Sequence, residues 1–126
     1  MAFLSNLFPQ RYTDALCMLA AYKDVGELIN FFDSDMNIDA HHSEIGQSAL
    51  VFASINGKVK NVEFLLRKGA SEVLEASLCA KKERDDYSSG RLTSMNISTE
   101  KKINELDKVI EVLKDYLHRS LPDQFE

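Results

Sequence analysis

The side chains of residues 33–44 form the clearest pattern in the sequence for binding a ligand. Acidic or amide side chains stand at the first, third, fifth, seventh and twelfth places of this segment. Oxygen atoms so spaced can surround a calcium ion, because this hard cation takes about six to eight oxygen ligands from a flexible loop. The candidate ligands are Asp33, Asp35, Asn37, Asp39 and Glu44. One alternative for this protein is therefore a calcium-responsive function.

Two places in this segment depart from the EF-hand calcium loop. The sixth place needs glycine for a sharp turn, but Ile38 stands there, and β-branched residues strongly disfavour positive φ. The eighth place is normally an aliphatic residue that pairs with a second loop, whereas here it is Ala40 and the sequence has no second loop of this kind. We therefore favour an exposed turn between two helices, where Asp and Asn are common for conformational reasons.

Two adjacent histidines, His41 and His42, lie in the same segment beside Asp39 and Glu44. These residue types can bind a transition metal, but neighbouring histidines point in different directions and the sequence shows no further cluster of ligands. We therefore expect exposed histidines and no bound metal.

The two cysteines, Cys17 and Cys79, lie in apolar stretches without the spacing of a zinc site. We expect buried, reduced thiols, with a single disulfide as the open alternative. Burial also makes a thiol a poor nucleophile. The sequence lacks the motifs of serine hydrolases, zinc proteases and phosphate-binding loops. These observations predict a protein that is not an enzyme and uses no cofactor.

The elements that position these residues belong to a chain of 126 residues, the usual size of one domain. An apolar fraction of 44% predicts that the chain folds, here as a single helical domain over residues 1–126. Twenty acidic residues against 15 basic ones give a net charge of -5, which disfavours binding to nucleic acid. We find no signal peptide or membrane span in the sequence and expect a cytoplasmic protein.

Helical periodicity dominates the sequence, and no stretch alternates as a half-buried strand would. The pattern predicts an all-α fold, with Thr13 as the cap of the first helix and Gly69 closing the fourth. The predicted helices span residues 13–22, 25–32, 48–55, 59–68, 72–84 and 98–119. Residues 85–98 form the predicted loop, because turn-forming residues are concentrated there.

The last predicted helix carries an apolar stripe that steps by three or four residues. A wide stripe favours packing against the core of the same domain, since the seam of a coiled coil is narrower. We therefore expect this helix to cap the domain, with a homodimer through the same stripe as the alternative. The residues of the stripe are Ile103, Leu106, Ile110, Leu113 and Leu117, widened by Val109, Val112 and Tyr116.

Residues 46–71 contain two short predicted helices joined at Gly57 and closed by Gly69. The stretches GQSALVFA and NGKVKNVEFLLRKGAS in this range resemble an ankyrin repeat, with its G-x-T-P-L-H-x-A opening and G-H-x-x-x-V-x-x-L-L-x-x-G-A-D close. The range departs from the family at two places, where Ala49 replaces a proline and Val51 replaces a histidine. A weaker resemblance covers residues 12–45.

Residues 72–120 would supply an atypical third helix pair. Because about three repeats are needed before stacking buries a continuous core, this pair would close the array. The resemblance thus implies a solenoid of stacked antiparallel helix pairs that ends in a long capping helix.

The ankyrin resemblance implies a module that binds another protein through the turns between repeats and the face of the first helices. The contact residues would be Asp33, Asp35, Asp39, His41, His42 and Glu44. Their acidic charge predicts a partner with a basic patch. Such a module would act as an inhibitor or adaptor, and it is loosely similar to the ankyrin-like effectors that intracellular bacteria deliver into a host cell.

Overall fold

The computed structural model of the chain describes residues 7–92 and 98–120. Six α-helices lie within these two ranges, together with one isolated antiparallel bridge, so the predicted all-helical fold is confirmed. The helices are α1 (Pro9–Tyr22), α2 (Val25–Phe31), α3 (Ala49–Ile55), α4 (Val59–Arg67), α5 (Val73–Ser88) and α6 (Thr99–Ser120).

The first helix begins earlier than the sequence predicts. α1 starts at Pro9 and not at a cap on Thr13, because proline fits the first turn of a helix, where its missing N–H is not needed. Thr13 is instead buried inside the helix. The bounds of α2, α3, α4 and α6 agree with the predicted ones to within one residue at each end.

The fifth helix is longer than predicted. α5 continues to Ser88, past the predicted end at residue 84, so the predicted loop 85–98 begins later. An ion pair of 3.0 Å between Lys82 Nζ and Asp86 Oδ2 links successive turns of this extension, as oppositely charged residues four apart do on a helix. Residues 93–97 of the predicted loop lie outside the described residues.

The helices form two layers. α1, α3 and α5 lie side by side in one layer with α3 in the middle, and α2 and α4 pack on each other in the second. α6 packs mainly along α5 and also contacts α4 and α3, so it lies beside α4 in the second layer. Helices that follow each other along the chain therefore lie in different layers.

The core is centred on α3, where every residue from Ala49 to Ser54 is at most 4% exposed. Small side chains let the helices of the first layer approach one another closely, which favours dense packing. The fully buried alanines of this layer are Ala20, Ala53, Ala76 and Ala80. Buried residues of all six helices belong to one hydrophobic cluster.

Two features fix the ends of the helices, a hydrogen-bonding side chain and a glycine. Asn61 of α4 is 2% exposed, and its Nδ2 donates to the carbonyls of Ala20 and Lys23 at 2.9 Å each. These carbonyls belong to the last turn of α1, whose acceptors have no partner within the helix. At the reversal between α3 and α4, Gly57 has a φ of 71°, and an added side chain would meet Glu105 Cβ of α6 at 3.0 Å.

α6 packs its apolar stripe against the core of the same chain. Leu106, Val109 and Leu113 are fully buried, so Val109 lies at the centre of the stripe and not at its margin. A homodimer through Leu106 and Leu113 stays a prediction, and it would require α6 to leave this core. The half-buried members of the predicted stripe are Ile103, Ile110 and Leu117. Neither α6 nor any other helix in the described ranges is long and apolar enough to cross a membrane.

Candidate functional site

A long loop, which we call the finger (residues 32–48), joins α2 to α3 and carries every contact residue that the sequence predicts. The connection between α4 and α5, by contrast, comprises only residues 68–72. The finger folds back on itself near its end, where the amide of His42 donates to the carbonyl of Gln47 at 3.0 Å and the amide of Gly46 donates to the carbonyl of His42 at 2.8 Å. Gly46 has a φ of 75°, which glycine adopts without strain.

Two side chains tie the base of the finger to the start of α5. The carboxylate of Asp39 accepts twice from Ser71, from its amide at 2.9 Å and from its hydroxyl at 2.7 Å. His41 Nε2 lies 2.7 Å from Glu72 Oε2, and this hydrogen bond raises the pKa of His41 above its usual value. Asp39 and His41 therefore position the finger.

Asp14 of α1 binds the finger from the other side. Its carboxylate accepts from the amide of Ser43 at 2.9 Å and from the hydroxyl of Ser43 at 2.5 Å. Gln10, one turn earlier, donates to Asp14 Oδ1 at 2.7 Å and to the carbonyl of His41 at 3.0 Å. The hydrogen bonds to Asp14, those from Ser43 first, lower its pKa from the usual 3.8 to about 2.

Sequence reasoning missed Asp14, although a signal for it exists. Asp14 precedes Ser43 by 29 residues, and Asp39 precedes Ser71 by 32, so the same aspartate-to-serine anchor occurs twice at a similar spacing. A search for aspartate and serine pairs about 30 residues apart would include both anchors.

Replacing Asp14 by asparagine is expected to make the loss of stability in acid less steep. The carboxyl has a pKa of about 2 in the folded chain against a usual value of 3.8. Its stabilising effect is therefore complete above about pH 4 and disappears as the pH falls toward about 2. Urea midpoints measured from about pH 7 to about pH 2 should decline less for Asp14→Asn than for the natural chain. Asp35→Asn is the matched control, and equal slopes in all three proteins would contradict this role of Asp14.

His42 organises the tip of the finger, which comprises residues 42–46. Its Nδ1 lies 3.2 Å from the amide nitrogen of Glu44 and 3.4 Å from that of Ile45. The ring also packs against Phe52 of α3, with ring centroids 5.6 Å apart. His42 is thus half-buried between the tip and the core, and its ring shapes the turn that exposes Glu44 and Ile45.

Two of the five candidate ligands of the predicted calcium loop bind the backbone of the finger itself. Asp33 Oδ1 accepts from the amide of Asp35 at 2.8 Å, and Asn37 Oδ1 accepts from the amide of Asp39 at 3.0 Å, which is the geometry of Asx turns. Ile38 keeps a negative φ, as does every non-glycine residue that the structure describes. Within the same residues, no three His, Cys, Asp or Glu side chains come together to hold a metal ion. The calcium-responsive function therefore stays a prediction, and none of the contacts described above supports it.

Five of the six predicted contact residues fall into two groups. Asp39, His41 and His42 hold the finger in place, whereas Asp35 and Glu44 project from it as exposed carboxylates. Next to Glu44 lies Ile45, a large apolar side chain that is 54% exposed and that sequence reasoning did not select. The tip of the finger therefore exposes one carboxylate and one apolar side chain, those of Glu44 and Ile45. Contacts from α1 and from the start of α5 hold the finger in place. Asp33, the sixth predicted residue, is half-buried.

Both cysteines are free thiols. Cys17 is buried, as predicted, and this burial raises its pKa to about 12, while Cys79 is half-buried and its pKa is also raised by burial. The thiol of Cys17 donates to the carbonyl of Gln47 at 3.7 Å, which is a further contact between α1 and the finger. Since the thiolate is the reactive form, neither cysteine is suited to act as a nucleophile.

The finger thus joins the two outer helices of the first layer, with Asp14 on α1 and Ser71 and Glu72 at the start of α5. This arrangement can present charge and apolar surface in a fixed geometry. Comparisons of the chain with models of protein families, with curated proteins and with solved structures found no match.

Proposed function

We propose that the protein is a non-enzymatic protein-binding module, built as an ankyrin-type stack of helix pairs, that contacts a basic surface of its partner through the finger. The observation that carries this proposal is the finger, a long connection that is fixed at both sides and still exposes Asp35, Glu44 and Ile45. A binding loop that is ordered before the partner arrives loses less entropy on association.

The arrangement of the helices supports the ankyrin interpretation. The first helix of each pair packs beside the first helix of the next, the second helices do the same, and a glycine with positive φ reverses the chain between α3 and α4. The long finger stands where an ankyrin array joins one repeat to the next. On this interpretation α5 and α6 form the closing pair, and the short connection of residues 68–72 is a departure from the regular array.

The charge of the finger indicates the chemistry of the partner. Asp35 and Glu44 are exposed, whereas Asp39 of the finger and Asp14 of α1 are held by hydrogen bonds from serines. Exposed carboxylates attract a basic patch and speed the encounter, while the apolar side chain of Ile45 adds contact area. A module of this size acts by covering or recruiting that surface, which is the action of an inhibitor or an adaptor.

The chemistry of the cysteines supports a role other than catalysis. Both thiols have a raised pKa, and the thiol of Cys17 in α1 is covered by the finger. Cys17 serves packing, as buried free cysteines usually do.

The test of this function is a reversal of charge at the two exposed carboxylates of the finger. The double substitution Asp35→Lys/Glu44→Lys is expected to reduce recovery of the partner from a cell extract by on the order of tenfold, because rim charges govern association. Recovery is measured by quantitative mass spectrometry on a tagged chain. Asp39 is left unchanged, since its substitution would release the finger from Ser71 and so mix two effects.

The matched control is Glu111→Lys, which reverses an exposed acid on α6. Proteins that are lost with the double variant and retained with Glu111→Lys are the partners of the finger. If the natural chain, the double variant and the control recover the same proteins in the same amounts, the finger is not the binding surface and the proposal is wrong.

A further inference from the structure

A second apolar stripe runs along α1, on the side opposite to the buried residues of this helix. Its members step by four and three residues in turn, which is the spacing of a coiled-coil seam. We call this stripe the outer seam, and it consists of Phe8, Tyr12, Ala15, Leu19 and Tyr22. Phe8 is 48% exposed and Tyr22 is 61% exposed. A helix that is apolar on two sides is normally covered on both.

The outer seam borders a shallow hollow with a volume of about 420 Å³. Phe8, Tyr12 and Ala15 of the seam line this hollow together with Arg11 and with Phe31 of α2. The rings of Tyr12 and Phe31 stack with their centroids 5.6 Å apart, so α2 supplies one wall. Among the described residues that line the hollow, Arg11 alone is charged, and its guanidinium lies 5.4 Å from the centroid of the Phe8 ring. The hollow therefore fits large apolar side chains.

The next helix of the first layer shows this side of a helix when a neighbour covers it. Val51 and Phe52 of α3 stand 33 residues after Met18 and Leu19 of α1, and they are 0% and 4% exposed. Met18, by contrast, is 41% exposed. α3 lies between α1 and α5, whereas α1 has a neighbour in its layer on one side only among the described helices. The outer seam is therefore the uncovered end of the first layer.

We propose that the outer seam binds the outer seam of a second copy of this chain, so that two α1 helices pack antiparallel about Ala15 in a two-fold dimer. Such an interface must be self-complementary, because the same surface of both copies forms it. The small side chain of Ala15 stands in the middle of the seam and lets the two helices approach closely. The dimer does not depend on the proposed function, since Asp35 and Glu44 of the finger lie outside the seam.

The antiparallel pairing joins aromatic rings and keeps like charges apart. Residues that are equally far from Ala15 on its two sides meet, so Phe8 of one copy faces Tyr22 of the other at both ends of the seam. Aromatic pairs stabilise an interface beyond the area that they bury. Arg11 faces the apolar side chain of Leu19 in the second copy. A parallel pair would instead place Arg11 against Arg11, and juxtaposed like charges oppose association.

The area of this surface agrees with what a specific dimer needs. Leu7, Phe8, Met18 and Tyr22 each expose between 41% and 61% of their surface. With the other residues of the seam and the hollow, each copy offers on the order of 600 Å². Two copies together bury about 1,200 Å², which is the lower end of the range for stable specific interfaces. We therefore expect a dimer that forms at high concentration and dissociates on dilution.

Sedimentation equilibrium of the full chain over a range of concentrations tests the dimer. The mass of the natural chain should rise with concentration toward twice that of one chain. Ala15→Glu and Tyr22→Glu should each raise the dissociation constant at least about tenfold, because each places carboxylates in a desolvated interface. Tyr22 is largely exposed in the single chain, so Tyr22→Glu keeps the fold and decides the matter even if Ala15→Glu unfolds. Circular dichroism verifies the fold of each variant.

Leu78→Glu is the matched control, because Leu78 of α5 is a large apolar residue that is 60% exposed outside the seam. This variant should dimerise as the natural chain does. A natural chain that stays monomeric up to about 1 mM overturns the proposal. A dimer that persists unchanged in both seam variants, or that is lost equally in Leu78→Glu, overturns it as well.

A mixture of two variants tests the direction of the pairing. Phe8→Lys and Tyr22→Glu should each weaken the dimer when studied alone. Mixed in equal amounts, they should recover much of the natural association, since the antiparallel pairing sets the new lysine of one chain against the new glutamate of the other. The opposite end of the same dimer keeps the natural pair of Phe8 and Tyr22. A mixture that associates no better than its components contradicts the antiparallel arrangement.

Discussion

Replacing Leu113 by aspartate is expected to remove a large part of the stability of the fold, more than about 4 kcal/mol. Leu113 lies in α6 with 0% of its surface exposed and belongs to the core cluster. A carboxylate at this position loses its hydration in an apolar core, which costs more than about 4 kcal/mol. Domains of this size have a stability of only about 5–15 kcal/mol. The single substitution therefore removes a large part of the free energy of unfolding, and nearly all of it at the lower end of that range.

Circular dichroism and urea unfolding measure this effect, and the exposed neighbour Lys114→Asp is the matched control. Lys114→Asp should unfold within about 0.5 kcal/mol of the natural chain. A folded Leu113→Asp with natural stability would contradict the packing of α6 on the core. A natural dimer that becomes a folded monomer in Leu113→Asp would instead support the alternative in which α6 joins two chains.

Replacing Asn61 by alanine is expected to cost about 2–3 kcal/mol of stability. The side chain of Asn61 is almost fully buried and donates to the carbonyls of Ala20 and Lys23, which end α1. Alanine removes both donors and leaves two acceptors without partners, and the desolvation of such groups is the main loss. The same hydrogen bonds join α4 of the second layer to α1 of the first. Their loss therefore weakens the contact between the two layers at this place.

The free energy of unfolding from urea titration measures this loss. Asn104→Ala on the exposed side of α6 is the matched control and should change stability by less than about 0.5 kcal/mol. Asn61→Asp should be at least as harmful as Asn61→Ala, because a carboxylate cannot donate to either carbonyl. A loss below about 0.5 kcal/mol for Asn61→Ala would show that the two carbonyls are satisfied in another way.

The helices could be predicted from the sequence because their signals are local. Apolar periodicity and the glycines at 57 and 69 determine α3 and α4 to within one residue. The start of α1 lies four residues before the predicted cap Thr13, because Pro9 fits the first turn of a helix and Thr13 only resembles a cap. The extension of α5 was missed because its ion pair, Lys82 with Asp86, lies in a stretch rich in turn-forming residues.

The finger could be found from the sequence, but the roles of its residues could not. Composition treats Asp35 and Asp39 alike, although one is exposed and the other accepts two hydrogen bonds from Ser71. The difference depends on a contact between positions 32 residues apart. His42 and Phe52 are another such pair, because their meeting depends on how the loop folds back on α3.

The burial of α3 between α1 and α5 also determines how the chain comes apart. A long repeat array can lose an end unit and leave the rest intact, because each unit contacts only its neighbours. Here α3 is covered on one side by α1 and on the other by α5, so the loss of either outer pair exposes its apolar surface to water. The remaining helices would then be too few to bury a core, and we expect the fold to melt in a single all-or-none transition.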